Sequence, residues 1–451
     1  MPRPALLCIS HSYAPETTPT AIRAGKLLDA LGDRWSIFVL TEAVGGRARP
    51  GVHVETVRAR RPAWLVGLLR RLRLDKLLEI ALWPDDAIFW APSAIRAGRR
   101  LIEEVAPSAI VVFMMPYSSG LVGLVLSRLS RLPLILNLDD SPTCTDMHPH
   151  FPTRLHYYMA RALEDLYARR ADAVVYVSET NLRAARARQT REVRSRYHLV
   201  RYGVEISEHH AERESEGFEI AYVGAMTGWW ALAEDGRPTS LPERVYGAWS
   251  RLGRYERLRL DQRTSSPVVV GRAIEDVIAE HPAWDGCIEL AIYGNPYSPA
   301  LVQRALARSG VERVTSVVGP VPHERVAEIV WGADLLFLTL PKRMDGSRGG
   351  RISAKTYEYL ATDRPILAAV PRGENWDYLV DKPGVWLVEP DDRERMRMVI
   401  AELAGAKFTG SSVRFDRSHL HAELSYDNRA TQLESVVRAA IRAHGDERTT
   451  A

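Results

Sequence analysis

Short apolar runs alternate with amphipathic stretches of helical spacing along nearly the whole chain, in two consecutive series. That alternation is the pattern of parallel sheet covered by helices. The first series predicts strands at Ala5–Ser10, Ser36–Thr41, Ala109–Met114, Leu134–Leu138 and Ala173–Val177. Its helices are expected near Ala21–Leu31, Ala94–Val105, Ser119–Ser130, Thr153–Arg170 and Thr180–Arg188. The second series predicts strands at Glu219–Gly224, Ile288–Tyr293, Val314–Val318, Leu335–Leu338, Pro365–Ala369 and Val385–Val388. Its helices are expected near Pro267–Glu280, Ala300–Ser309, His323–Trp331, Ser353–Thr362 and Arg393–Leu403. Two such series predict an α/β protein of two doubly wound, Rossmann-like domains facing across a cleft, with ligands at the carboxyl ends of the strands.

The first domain is expected over residues 1–205 and the second over 206–425, with an insertion near 227–266. A last helix within 426–451 is expected to pack back toward the first domain. The boundary is put at Tyr202–Gly217, where His209-His210-Ala211-Glu212-Arg213-Glu214 is polar and unpatterned. A length of 451 residues agrees with two cores.

Charge and cysteine use exclude several classes. Sixty basic residues meet 56 acidic ones, so nucleic acid is not the expected partner. Cys8, Cys144 and Cys287 fit no disulfide or zinc spacing and point to a reducing compartment. The run Ala5-Leu6-Leu7-Cys8-Ile9 is too short for a signal peptide, and no run reaches the ~18 apolar residues of a membrane span. A cytoplasmic protein is expected. Residues 62–76, with Trp64-Leu65-Val66-Gly67-Leu68-Leu69-Arg70-Arg71, mix large apolar groups with cations, as a helix lying at a membrane face does. The same pattern also fits an ordinary helix with its Arg residues in water. Within 227–266 the aromatic residues, Trp229 among them, suggest a lid, an acceptor platform or a peripheral packing insert.

The strongest chemical signal is Arg348-Gly349-Gly350-Arg351-Ile352-Ser353-Ala354-Lys355-Thr356-Tyr357-Glu358. A basic, glycine-containing loop runs into a helix start with Ser353 at the N-cap, an arrangement that presents free N–H groups to an anion. Lys355 sits in the first turn, where the helix dipole disfavours a cation unless an anion binds. Glu358, one turn on, can accept hydrogen bonds from sugar hydroxyls. A capped helix with solvated charges is the competing reading.

With Gly319-Pro320-Val321-Pro322-His323-Glu324, Ala333-Asp334-Leu335-Leu336-Phe337-Leu338 and Lys355-Thr356-Tyr357-Glu358-Tyr359-Leu360-Ala361 in this order, the chain resembles GT-B-fold glycosyltransferases of the family-four type. Ser10-His11-Ser12-Tyr13-Ala14-Pro15-Glu16, Met114-Met115-Pro116-Tyr117 and Leu138-Asp139-Asp140-Ser141 look like the family's N-terminal loops. The resemblance implies sugar transfer from a nucleotide-diphosphate sugar to a hydroxyl acceptor, with retention of configuration. The acceptor could be a saccharide, a lipid-linked saccharide or a small metabolite. It places the base near Val321 and the ribose on Glu358.

Arg348, Arg351, Lys355 and Arg263 are the candidates to stabilise the leaving diphosphate, alongside Ser353 and the strand-end glycines Gly224 and Gly294. The sequence has no Asp-x-Asp motif, and neither a metal nor another cofactor is expected. Asp140 is assigned to the acceptor hydroxyl, although capping of the following turn explains it equally. His11 is a further catalytic candidate with a structural alternative, and Tyr117, His148 and Trp229 are expected to touch the acceptor. The chain departs from the family where Gly350 replaces the first of two Glu residues and where Thr17-Thr18-Pro19-Thr20 replaces glycines. An Arg/Lys pair is also missing after Gly224; Arg263 and Lys355 are its candidate substitutes. A nucleotide-sugar epimerase on the same fold and a non-catalytic partner protein are the alternative functions.

Overall fold

The computed structural model describes residues 3–450 apart from 17, 43–49, 148–149, 207–215, 225, 227, 229–239, 295–298 and 412. The chain forms two compact units. The first comprises Met1–Gly203, Leu241–Arg257 and Glu423–Ala451; the second comprises Val204–Ser240 and Leu258–Ala422.

The first unit is built on a parallel sheet of β1 (Ala5–Ser10), β2 (Ser36–Thr41), β3 (Val52–Thr56), β4 (Ala109–Phe113), β5 (Leu134–Leu138), β6 (Ala173–Tyr176) and β7 (Tyr197–Leu199). The strand order is β3-β2-β1-β4-β5-β6-β7, so the sheet changes winding direction between β1 and β4. Its helices are α1 (Pro19–Leu31), α2 (Ala63–Arg71), α3 (Asp75–Ala81), α4 (Ala91–Val105), α5 (Ser118–Ser130), α6 (Arg154–Arg170), α7 (Glu179–Ala187) and α8 (Leu241–Arg251). Alternate side chains leave opposite faces of a strand. Leu7 and Ile9 accordingly join a core with α4, α5 and α6, while Leu6 and Cys8 join another with α1.

The C-terminal helix, Tyr426–Thr450, completes that second core with Ala430, Leu433 and Val437. Glu434 fixes it: the carboxylate accepts from Trp35 Nε1 at 3.1 Å and Arg438 Nε at 2.9 Å, and pairs with Arg34 at 2.5 Å. Residues 241–257, read in sequence as part of an insertion in the second domain, cluster with the first unit. Tyr255–Glu256 pairs antiparallel with His150–Phe151, and Lys76 Nζ donates to Trp249 O at 3.1 Å.

The second unit carries β8 (Phe218–Val223), β9 (Ile288–Tyr293), β10 (Thr315–Val317), β11 (Leu335–Thr339), β12 (Ile366–Ala369) and β13 (Val385–Val388) in the order β10-β9-β8-β11-β12-β13, all parallel. Its helices are α9 (Pro267–Glu280), α10 (Pro299–Ser309), α11 (His323–Gly332), α12 (Ala354–Leu360), α13 (Glu374–Leu379) and α14 (Arg393–Phe408). Ile220, Leu290 and Phe337 meet Val270 and Ile274 of α9 and Ile400 of α14 in one core. The winding direction changes between β8 and β11.

Candidate functional site

In doubly wound sheets the crevice at the carboxyl ends of the strands, where winding reverses, is the usual ligand position. In the second unit that point lies between the end of β8 and the connection from β11 into α12, which together carry Gly224, Arg348, Arg351, Ser353 and Lys355. Gly224 has φ +109°, a conformation that favours glycine, and its N–H donates to Tyr293 O at 2.6 Å. A Cβ at Gly224 would lie 2.8 Å from Lys355 Cε and 3.1 Å from Nζ, so the lysine side chain crosses the strand end where only glycine leaves room. Lys355 Nζ stands 5.0 Å from the centroid of the Tyr222 ring, a cation–π contact. Neither Lys355 nor Arg351 has a carboxylate partner among the described residues.

Contacts at both ends set the position of α12. Asn375 Oδ1 accepts from the Ser353 N–H at 3.1 Å and from Thr356 Oγ1 at 2.7 Å. Ser353 is at the N-cap as read from sequence, but its hydroxyl makes no capping bond; Asn375 supplies the acceptor instead. The Ser353 N–H is therefore not available to an anion.

At the other end the buried Arg417 donates to Tyr359 O, Thr362 O, Pro383 O and Arg364 O. It occupies the last carbonyls of the helix, the end where a cation is favoured. Burial pushes the Arg417 guanidinium down to about 10, which leaves it charged at neutral pH. From the same end, Tyr359 OH accepts a hydrogen bond at 3.1 Å from the Val223 N–H, tying the helix to β8 directly beside Gly224.

The other expected donor contacts are dispersed along the same sheet edge. Glu358 is half-buried on α12. Gly294 is buried just after β9, and Val321 is half-buried in the loop after β10. Arg263 is exposed in the 3-10 turn Gln262–Ser265 that leads into α9. A Cβ on Gly228 would sit 2.6 Å from Ser265 O, so the loop leaving β8 runs against that turn. Arg348 is exposed and paired with Asp377 at 2.5 Å.

The first unit treats its strand ends differently. His11, after β1, pairs through Nε2 with Glu42 at 2.7 Å and packs edge-on against Trp90 at 5.2 Å. Asp139, after β5, pairs with the buried Arg23 at 3.0 Å, and Arg23 also donates to Val200 O at 3.1 Å. Burial nevertheless raises the Asp139 carboxyl above its ordinary range against the pull of Arg23. Asp140 accepts from Thr145 Oγ1 at 2.7 Å, the turn-capping alternative read from sequence, and its carbonyl accepts from Tyr117 OH. His148 and Trp229 lie outside the described residues.

Behind Met114 and Tyr117 lies a cavity of about 280 Å³ that the sequence reading missed. Its wall is largely apolar, including Leu82, Trp83, Leu136, Phe151 and Leu163. Two of the three carboxylates that border it, Glu164 and Asp85, are engaged; the third is Glu79. Glu164 accepts from Tyr176 OH at 2.9 Å and pairs with Arg188 at 3.0 Å, and Asp85 accepts from Ser118 Oγ at 2.6 Å. The Trp83 Nε1 is buried without a partner among the described residues, so the cavity wall holds one unused donor. No pattern along the chain marks it, because its wall comes from β4, β5, α6 and the loop before Asp85, elements distant in the chain.

Fold and strand-end chemistry together define a GT-B-type protein: two Rossmann-like α/β domains, the second with basic groups at its winding reversal. Residues 20–203 match the model of the glycosyl transferase 4-like domain. The chain thus has the GT-B fold, and the match to that domain lies within its first unit.

Solved structures share the fold at low identity. Sucrose-phosphate synthase from Thermosynechococcus elongatus aligns with a TM-score of 0.64 at 14% identity, over 98% of this chain and 100% of that one. HepE from Anabaena, solved with UDP and glucose, aligns with a TM-score of 0.59 at 11% identity, over 97% and 100%. A putative UDP-N-acetylglucosamine 2-epimerase from Listeria monocytogenes aligns with a TM-score of 0.51 at 12% identity, over 99% and 98%. A search of curated protein sequences finds no significant match. Among the described residues no group of three or more His, Cys, Asp or Glu is arranged to hold a metal ion.

Proposed function

We propose that this protein transfers a sugar from a nucleotide-diphosphate-sugar donor to a hydroxyl acceptor, without a metal and with retention of configuration. One observation carries the reading: Lys355, with no carboxylate partner among the described residues, lies across Gly224 at the winding reversal of the second sheet. A fixed cation there is placed to stabilise the charge that develops on a departing diphosphate. Arg351 adds a second cation, and the N–H groups of Ala354 and Lys355 at the start of α12 add donors. Glu358 is assigned to the ribose hydroxyls.

In the first unit Asp140 keeps one carboxylate oxygen uncommitted among the described residues, and that oxygen orients or deprotonates the acceptor hydroxyl. The apolar cavity beside Tyr117 takes the non-polar part of the acceptor, with the Trp83 N–H offered to one of its oxygen atoms.

The test is a panel of nucleoside diphosphates and nucleotide sugars scored by shift of melting temperature. A shift with at least one diphosphate, lost in Lys355→Ala, supports the assignment; no shift with any of them favours a non-catalytic partner protein. The likeness to an epimerase structure motivates the second enzymatic reading. Incubation with the binding nucleotide sugar and no acceptor separates the two, because an epimerase changes the sugar while a transferase at most hydrolyses it.

A further inference from the structure

We infer that α2 and α8 of the first unit form a surface that seats on an anionic lipid bilayer. On α2, Trp64 and Leu68, with Leu72 just beyond its end, recur every four residues and so share one face; all three are exposed, Trp64 at 74%. On α8, Leu241, Val245 and Trp249, with Leu252 just beyond its end, make a second stripe of the same kind, with Leu241 73% and Leu252 64% exposed. No residue of α8 is buried. A helix of this composition would ordinarily hide its apolar face, and this one holds its place by polar links instead. Tyr246 OH donates to Asp75 Oδ2 at 2.8 Å, Lys76 Nζ donates to Trp249 O at 3.1 Å, and Arg73 lies over the Tyr246 ring at 5.5 Å. α8 is thereby fixed to the start of α3 and to Arg73, in the turn that follows α2, with a shallow groove lined by Arg73, Leu74, Val245 and Trp249 where they meet.

The charge around the stripes selects the occupant. Residues 58–76 hold seven basic side chains and one acidic, and 241–254 hold three basic and one acidic, in a chain whose net charge is only +4. A second copy of this chain would bring cations against cations, an arrangement that like-charge repulsion disfavours. An anionic bilayer complements both features at once, because its acyl boundary accepts the apolar stripes while its headgroups accept the arginines. The segment 62–76 by itself leaves an ordinary packed helix open; the exposure of Trp64, Leu68 and Leu72, with α8 unburied in the same unit, argues against that reading. This inference does not depend on the proposed chemistry of the second unit.

The experiment is co-sedimentation of the full chain with vesicles of phosphatidylcholine alone and of phosphatidylcholine with about one third phosphatidylglycerol. The wild-type chain is expected to pellet with the anionic vesicles only, and to be released as salt is raised. Leu68→Glu with Val245→Glu, and separately Arg70→Glu with Arg71→Glu, should each weaken binding about tenfold or more. All four positions are exposed, so both variants should keep the wild-type melting temperature, which is measured alongside. Equal binding to neutral vesicles, no binding at all, or unchanged binding by both variants would overturn the inference. So would a dimer, seen by analytical ultracentrifugation without lipid, that Leu68→Glu with Val245→Glu dissociates.

Discussion

The two sheets share a topology and differ in what they do with charge at their carboxyl ends. In the first unit the charged groups there each have an internal partner, His11 with Glu42, Asp139 with Arg23 and Asp140 with Thr145, although not every oxygen is used: Asp139 Oδ2 is buried without a hydrogen bond among the described residues. In the second unit Lys355 and Arg351 stand at the corresponding edge without a carboxylate among the described residues. Internal pairing makes a rigid wall, whereas unmatched cations make a place for an anion. The contrast extends to the buried arginines. Arg23 is neutralised by a carboxylate, while Arg417 is held by carbonyl oxygens at the foot of α12 and keeps its charge.

The largest expected effect tests the unmatched side. Lys355→Ala should lower turnover by about a hundredfold or more, the size seen when a preorganised charge-stabilising donor is removed, and should leave the fold intact. Wild-type turnover in that variant would erase the contrast between the units.

Next come the buried arginines. Arg23→Met leaves Asp139 buried and unpaired and should cost about 3–5 kcal/mol in a denaturant titration. Arg417→Met strips the donor from several buried carbonyls, each costing about 1–3 kcal/mol if left unsatisfied, and should also weaken nucleotide binding by loosening α12. A loss confined to stability, with nucleotide affinity unchanged, would show that the helix is positioned without Arg417.

Gly224→Ala should cost about 1–3 kcal/mol through its positive φ, and should displace Lys355, so nucleotide affinity must fall with it.

The smallest effect is a pH dependence at the C-terminal helix. Burial acts to raise the Glu434 carboxyl, but its bonds to Arg438 and Trp35 and the charge of Arg34 outweigh that and hold it below the ordinary 4.5. A depressed carboxyl adds stability above its ordinary value and loses it as pH falls through the folded one. Glu434→Gln should therefore cost about 1–2 kcal/mol at neutral pH and flatten the decline in melting temperature below about pH 4.5. An unchanged acid limb would assign that decline to other carboxylates.

Much of the fold was legible because central strands of a parallel sheet are buried on both faces and read as continuous apolar runs. β1, β2, β5 and β9 fall on the residues expected, and so does the edge strand β13, because Val385-Trp386-Leu387-Val388 is apolar throughout. β3 and β7 escaped, since an edge strand such as Val52–Thr56 is half exposed and alternates with polar residues, and Tyr197–Leu199 is only three residues long. The candidate site was legible in part. A basic loop entering a helix marks Lys355, but Asn375 and Arg417, which hold that helix, gave no signal because their partners, mostly backbone atoms, are brought near only by folding. The segment 241–257 was assigned to the wrong unit because a stripe on a helix shows that it has a face, not what the face meets.

From the sequence alone came two βα series, the strand ends where ligands gather, and a basic helix start in the second series. These are local properties: side-chain periodicity and capping residues act over a few positions. Only the tertiary structure decided that β8 lies beside β11, which brings Gly224 under a lysine far along the chain. It also decided which cations meet a carboxylate, because ion pairing and strand order depend on distances in space that spacing along the chain does not encode.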